Sequence, residues 1–295
     1  MIPSGKKVSK LYSILPDDGT GDFTVVSDQK YVTGSTGLLE LVPANTPAFD
    51  YSDGSGCPAL LVEPQATNLV TYSEDFSNAS WIKSRSLFTS NSIISPTGDM
   101  TMGYLTEDIT ASNTHYIRKL LTLSDGVEYV YSTFAKSKER NIICLGDNAA
   151  SVSNTGVWFD LLNGLVLTQR EGYVGKIEDY GNGIYRCSVK FNAQTLRQYV
   201  DLAISESDGV NIYTGDGTSG VYIWGSQLEV GTTATSYIKT EGTTVTRAAD
   251  IETVTTPAGV TSITETIGGV DQTPIAVIPT TYQIPNGLIN KIIMT

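Results

Sequence analysis

One segment constrains the architecture more than any other: Val221-Tyr222-Ile223-Trp224-Gly225-Ser226-Gln227-Leu228-Glu229-Val230-Gly231. It alternates apolar and polar residues, as a strand with one buried face does, and closes on a glycine where the backbone can turn. The preceding Tyr213-Thr214-Gly215-Asp216-Gly217-Thr218-Ser219-Gly220 is dense in glycine and carries turn chemistry without a helix signal. A long last strand entered through a tight loop needs partners, and the chain supplies them. His115–Leu123, Glu128–Ala135, Asn141–Gly146, Gly156–Asp160, Leu165–Gln169, Ile184–Phe191 and Arg197–Ile204 recur at roughly the 8–12-residue spacing of a β-sandwich. Asn163-Gly164 and Asn182-Gly183 stand between apolar runs. Asn-Gly favours a type I′ hairpin, whose two central residues both take φ > 0, so the flanking strands should pair antiparallel. No stretch sustains a capped 3.6-residue period; even Thr195–Ile204 fits a strand better through its Val and Tyr.

The two ends read differently. Residues 1–64 hold the short strands Leu11–Leu15, Phe23–Val26 and Gly37–Val42, with a turn at Pro16-Asp17-Asp18-Gly19. Their apolar content is too low for a core, so they are expected to pack on neighbours or on other copies of the chain. Residues 241–281 are rich in Thr, Val, Ile, Gly and Pro and poor in aromatics, as in a set of short β pieces pairing between chains or a loosely held arm, of which an assembly arm is the preferred reading. Asn286-Gly287 gives a last hairpin-like turn, and Leu288–Met294 needs burial. The expected partition is an N-terminal attachment or assembly segment (1–64), a sandwich (65–240) and a C-terminal assembly arm (241–295).

Charge and cysteine content exclude several functions. A formal charge of −12, from 19 basic and 31 acidic residues, leaves no cationic stripe for nucleic acid and disfavours an anionic membrane. Cys57, Cys144 and Cys187 have no C-x-x-C spacing, and are expected to be buried thiols made in a reducing compartment. Met1–Lys7 lacks the apolar core of a secretory leader, and no window approaches the roughly 18 apolar residues of a membrane helix. The expectation is a protein made in a reducing cytoplasm, not inserted in membrane, and leaving the cell by another route such as lysis.

Several stretches, in order, resemble a family of bacteriophage virion proteins that carry a jelly-roll, carbohydrate-binding-module-like domain. They begin with Met1-Ile2-Pro3-Ser4-Gly5 and Lys10-Leu11-Tyr12-Ser13, then Asp22-Phe23-Thr24, Gly37-Leu38-Leu39-Glu40 and Asn45-Thr46-Pro47-Ala48-Phe49-Asp50-Tyr51. Pro58–Leu69, Tyr72-Ser73-Glu74-Asp75-Phe76 with Trp81, Thr214–Gly231, Thr235-Ser236-Tyr237-Ile238 and Val245-Thr246-Arg247-Ala248-Ala249-Asp250 follow. Two departures stand out. Where the pattern usually reads Arg-Ala-Ser-Thr-Ala-Thr, this chain has Val25-Val26-Ser27-Asp28-Gln29-Lys30, and its tail beyond Asp250 is short. The resemblance implies an all-β, antiparallel jelly-roll sandwich in a tail- or head-fibre component. It also implies a homotrimer that contacts other virion proteins of the capsid or tail.

Tyrosine is the dominant aromatic at 16 copies, and sugar-binding modules stack pyranose faces on exposed Tyr or Trp. Trp158, Tyr173, Tyr185 and Tyr199, on middle strands, are the candidates for host-surface or mucus glycans, with core packing as the bland alternative. Trp81 and Trp224 read as core. Glu74, Asp75 and Glu229 occupy places that resemble a structural calcium site of jelly-roll modules, to which oxygen ligands from first and last strands would contribute; no other cofactor is expected. Asp216-Gly217-Thr218-Ser219-Gly220 lacks the ligand count of a calcium loop and reads as a tight turn. The lone His115 has no G-x-S-x-G elbow or cysteine partner, so it is expected to pack on a strand. The expected function is non-enzymatic: a virion fibre component that binds glycans. The alternatives are a purely structural capsid-decoration or connector protein and a capsular-polysaccharide depolymerase, which usually carries a long repetitive β-helix not visible here.

Overall fold

The computed structural model describes residues 23–147, 155–194 and 198–295; the Leu11–Leu15 strand and the Pro16–Gly19 turn lie outside them. Five strands come first: β1 (Phe23–Val26), β2 (Lys30–Thr33), β3 (Leu39–Val42), β4 (Phe49–Asp50) and β5 (Ala59–Val62). The middle of the chain holds β6 (Ala66–Asn68), β7 (Trp81–Ser84), β8 (Ser86–Ile93), β9 (Met102–Glu107), β10 (His115–Leu120), β11 (Glu128–Ser137), β12 (Ile142–Gly146) and β13 (Val157–Asp160). It continues with β14 (Leu165–Gln169), β15 (Tyr173–Asp179), β16 (Ile184–Asn192), β17 (Tyr199–Ser205), β18 (Gly220–Val230) and β19 (Val245–Arg247). Then come β20 (Ile251–Thr255), β21 (Ile263–Ile267), β22 (Val270–Asp271), β23 (Thr281–Gln283) and β24 (Gly287–Met294). The fold is all-β among the described residues.

Ala66–Thr246 forms one compact unit, a β-sandwich of two six-stranded antiparallel sheets. Their strand orders are β14-β13-β12-β17-β10-β7 and β15-β16-β11-β18-β9-β8. Alternation aims Ile117, Ile143, Phe159 and Leu202 of the first sheet, and Tyr131, Val189, Phe191 and Ile223 of the second, into one core. Burial of such side chains, roughly 1.5–3 kcal/mol each, is what holds the layers together. Trp81 and Trp224 are core, as expected. His115 is fully buried on β10, its Nδ1 2.8 Å from the Arg85 carbonyl oxygen.

The β15–β16 hairpin turns on Asn182 and Gly183, both at positive φ (53° and 70°), as an Asn-Gly type I′ turn requires. β13 and β14 also pair, but of Asn163-Gly164 only Gly164 has positive φ. There the Asp160 carboxylate accepts the Leu162 and Asn163 N–H groups and shapes the turn instead. Asn286-Gly287 does not close a hairpin: β23 pairs with β20, whereas β24 pairs with β21 and β5. The Val221–Gly231 reading needs a larger correction, because β18 is buried on both faces. Val221 and Ile223 face the main core and Trp224, by alternation, the opposite side; the register then slips beside Gly225 (φ 62°), so that Leu228 returns to the main core. On the side opposite the core Phe134 and Tyr237 cover the indole, with ring centroids 5.3 and 4.8 Å away.

The described residues up to Gln65 and Arg247–Thr295 form a second compact unit. The end segments pair with each other: β1 with β20, and β5 with β24, whose Gly287, Leu288 and Ile289 face Val62, Leu61 and Leu60. Leu60, Val62, Ile263, Tyr282, Ile284, Ile289 and Met294 make its core. Leu288–Met294 thus finds its burial within the chain. The thiol expectation holds for Cys144 and Cys187, but Cys57 is exposed, in a polar bend between β4 and β5.

Candidate functional site

The sandwich carries a cleft of about 440 Å³ whose walls include Tyr72, Glu74, Asp75, Phe88, Asn91, Lys239 and Glu241. Two segments far apart in sequence form it by pairing backbones: Tyr72 N–H donates to the Glu241 carbonyl (2.6 Å) and Ser73 N–H to that of Thr240 (3.2 Å). Tyr72 sits at φ 58°, a left-handed conformation uncommon for a non-glycine residue. The Trp81 indole N–H holds its carbonyl at 3.0 Å. Phe88 lies over Gly103, where even a methyl group would meet the ring, so that glycine sets the depth of the aromatic wall.

The polar groups of the cleft are fixed in advance. Glu74 accepts the Lys239 ammonium at 3.0 Å and the Tyr237 hydroxyl at 3.2 Å. Asp75 accepts the Ser77 N–H at 3.1 Å and the Ser77 hydroxyl. Lys119, which does not line the cleft, stands 5.5 Å from the Tyr72 ring centre and donates to Ser80 Oγ, while burial lowers its pKa to about 8. Aromatic walls beside anchored acceptors and an ammonium suit a neutral, hydroxyl-rich ligand.

The four aromatic candidates do not come together. Trp158 is fully buried, its indole N–H donating to Asn211 Oδ1 at 2.9 Å and Arg170 lying 5.2 Å over the ring. Tyr173 is buried against Phe191, with its hydroxyl donating to Asp147 at 2.6 Å. Neither offers a face to a sugar, and for both the glycan expectation is corrected to packing. Tyr185 is half-buried at the rim of the main core, against Gly164. Tyr199 alone joins a polar-aromatic array on the outer face of the first sheet. There Arg118 lies 4.5 Å from the Tyr116 ring and 4.4 Å from that of Tyr199, and forks onto the fully buried Asp201 at 3.0 and 2.7 Å. Sequence reasoning missed Tyr116, Arg118 and Asp201; an Arg and an Asp inside otherwise apolar strands were the available signal. It also missed Tyr72, Phe88, Lys239 and Glu241.

The three calcium candidates have different surroundings. Glu74 and Asp75 line the cleft, but Glu229 is buried and spends its carboxylate on the Thr235 N–H (3.0 Å), the Thr235 hydroxyl and Gln227 Nε2 (2.7 Å). Among the described residues no three His, Cys, Asp or Glu gather in a group able to hold a metal. Asp216 does close a tight loop: it accepts the Ser219 hydroxyl at 2.6 Å and the Ser219 and Thr218 N–H groups at 2.7 and 2.8 Å, and these bonds hold its pKa well below the usual range.

No protein-family model matches the chain, and no curated protein matches it significantly. Among solved structures it is similar to the enzymatically active domain of tailspike protein 4 of bacteriophage CBA120, at 11% identity and a TM-score of 0.34, over 55% of this chain and 21% of that one. It is also similar to the CBM22-1–GH10 modules of Clostridium thermocellum endo-1,4-β-D-xylanase 10B, complexed with xylohexaose, at 17% identity and a TM-score of 0.32, over 58% of this chain and 30% of that one. The chain therefore spans less than a third of either structure.

Proposed function

We propose that the chain is a non-enzymatic bacteriophage virion protein, a fibre component of tail or head, whose sandwich binds a host-surface or mucus glycan in the Tyr72–Phe88 cleft. The observation that carries this reading is the cleft's combination of two aromatic walls with hydrogen-bonding groups already held in place. Its volume, about 440 Å³, falls in the roughly 300–1,000 Å³ range of small-ligand sites. The ordered sequence words supply the virion context and the expected homotrimer. Titrating the protein with host-surface polysaccharide fragments should give binding that Tyr72→Ala weakens by about tenfold or more, the loss of roughly 1.4 kcal/mol of contact. Unchanged binding in a folded Tyr72→Ala protein would move the site elsewhere, and a silent glycan array with normal virion incorporation would favour the purely structural role.

A depolymerase is the second reading, favoured by three carboxylates, Glu74, Asp75 and Glu241, around one cleft. New reducing ends from host capsule, abolished by Glu74→Gln, would establish it. The non-enzymatic reading expects none.

A further inference from the structure

Inside the unit built from the chain ends, Lys30 of β2 meets Asp250, 220 residues later, with both side chains withdrawn from solvent. The Lys30 Nζ contacts Asp250 Oδ2 directly and donates to the Leu61 carbonyl at 3.2 Å. Asp250 Oδ2 also accepts the Glu63 N–H at 2.6 Å, whereas Oδ1 finds no hydrogen-bond partner among the described residues. Two residues on, Glu252 is buried with neither carboxylate oxygen partnered. A second charged pair in this interior, Arg247 and Glu63, is joined at 2.9 Å.

An ammonium and a carboxylate removed from water lose hydration that their mutual attraction repays only in part. Passing the proton across leaves a neutral amine against a neutral carboxylic acid, which a dry interior tolerates far better. A neutral lysine amine is a nucleophile, and the fold holds it against the Asp250 carboxyl group. Glu252 meets the third requirement, a proton carrier. Burial raises its pKa to about 7, Lys30 pulling it down and Asp250 pushing it up, so it gains and loses a proton near neutrality.

We propose that Lys30 and Asp250 condense into an isopeptide bond, with Glu252 carrying the proton. The Nζ lone pair attacks Cγ of the protonated Asp250, and the new oxyanion at Oδ2 is held by the Glu63 N–H. Glu252 takes a proton from the nitrogen and returns it to Oδ1, which departs as water when the C–O bond breaks. One C–N bond forms, one C–O bond is lost, and one water is released; no oxidant or metal takes part. The product ties the start of the chain to its end in one covalent ring.

Intact-mass measurement of the denatured full chain tests this directly. The wild type should weigh one water less than its sequence requires, and proteolysis should yield a branched peptide joining the Lys30 and Asp250 fragments. Lys30→Met should restore the full mass. Asp250→Asn should lose ammonia instead of water, and Glu252→Gln should slow the reaction by about a hundredfold. A wild-type protein of full mass after prolonged incubation between pH 5 and 8 overturns the proposal, independently of whether any variant folds. So does a missing water mapped to a succinimide rather than to Lys30. Full-speed condensation in Glu252→Gln removes Glu252 from the mechanism.

Discussion

In the sandwich the largest fully buried side chains are aromatic, among them Trp81, Trp158, Trp224, Phe134 and Phe159. In the unit made from the chain ends a smaller aliphatic core shares its interior with Lys30, Asp250, Glu252, Glu63 and Arg247. The sandwich has ion pairs too, Arg140–Glu107 and Arg118–Asp201, but in each the arginine keeps part of its surface in solvent. Apolar burial is non-directional and scales with area, so it stabilises any arrangement that excludes water. A buried ionic group is satisfied in few geometries, and its partners here lie on segments some 200 residues apart in sequence. The contrast teaches that a large insertion can rest on bulk hydrophobicity, while two short ends that must find each other need a more selective interior.

The largest test of that contrast is Trp224→Ala. It should cost about 3–5 kcal/mol, with hydrogen exchange accelerating in β11 and β18 and the protection of β20–β24 unchanged. Next, Arg247→Met strands the Glu63 carboxylate in the other unit and should cost about 3 kcal/mol, most of which Glu63→Leu in the same chain should recover. Recovery in the double variant sharpens the comparison; an equal loss in the two units' exchange would break it. A pH series follows. The Glu252 pKa rises from the ordinary 4.5 to about 7 on folding, so the folded state keeps a proton that the unfolded state gives up. Its contribution is complete below about 4.5 and is lost as pH rises through about 7. The melting temperature should fall across that window, and Glu252→Gln should flatten the fall. The smallest effect is Tyr199→Ala, which removes one ring from the Arg118 stack and should cost about 0.5–1 kcal/mol in chemical denaturation.

Much of the sandwich was legible because period-2 alternation and turn residues are local signals. The strands at His115, Glu128, Ile184 and Val221 and the Asn182-Gly183 turn lie where those signals put them. What alternation cannot reveal is whether a strand's second face is covered. Trp158 looked available for stacking because nothing near it in sequence announces Asn211 and Arg170, which close over it. β18 misled in the same way, since its outer cover comes from Tyr237, beyond its own end. Of the site, Glu74 and Asp75 were found for a different chemistry, but their companions Lys239 and Glu241 are distant in sequence. The mutual pairing of the chain ends was least legible, because β5 and β24 are far apart in sequence and neither carries a local signal that names the other.

Where the chain leaves its first segment and where it returns, β6 and β19 form a two-stranded sheet, and the Thr67 and Thr246 hydroxyls stand 2.8 Å apart. A module whose two connections lie side by side behaves as an interchangeable cassette: cutting it out leaves a gap that a short loop can bridge. Recombination can thus swap the sandwich for another unit with similarly spaced ends, while the flanking segments keep their own sequence.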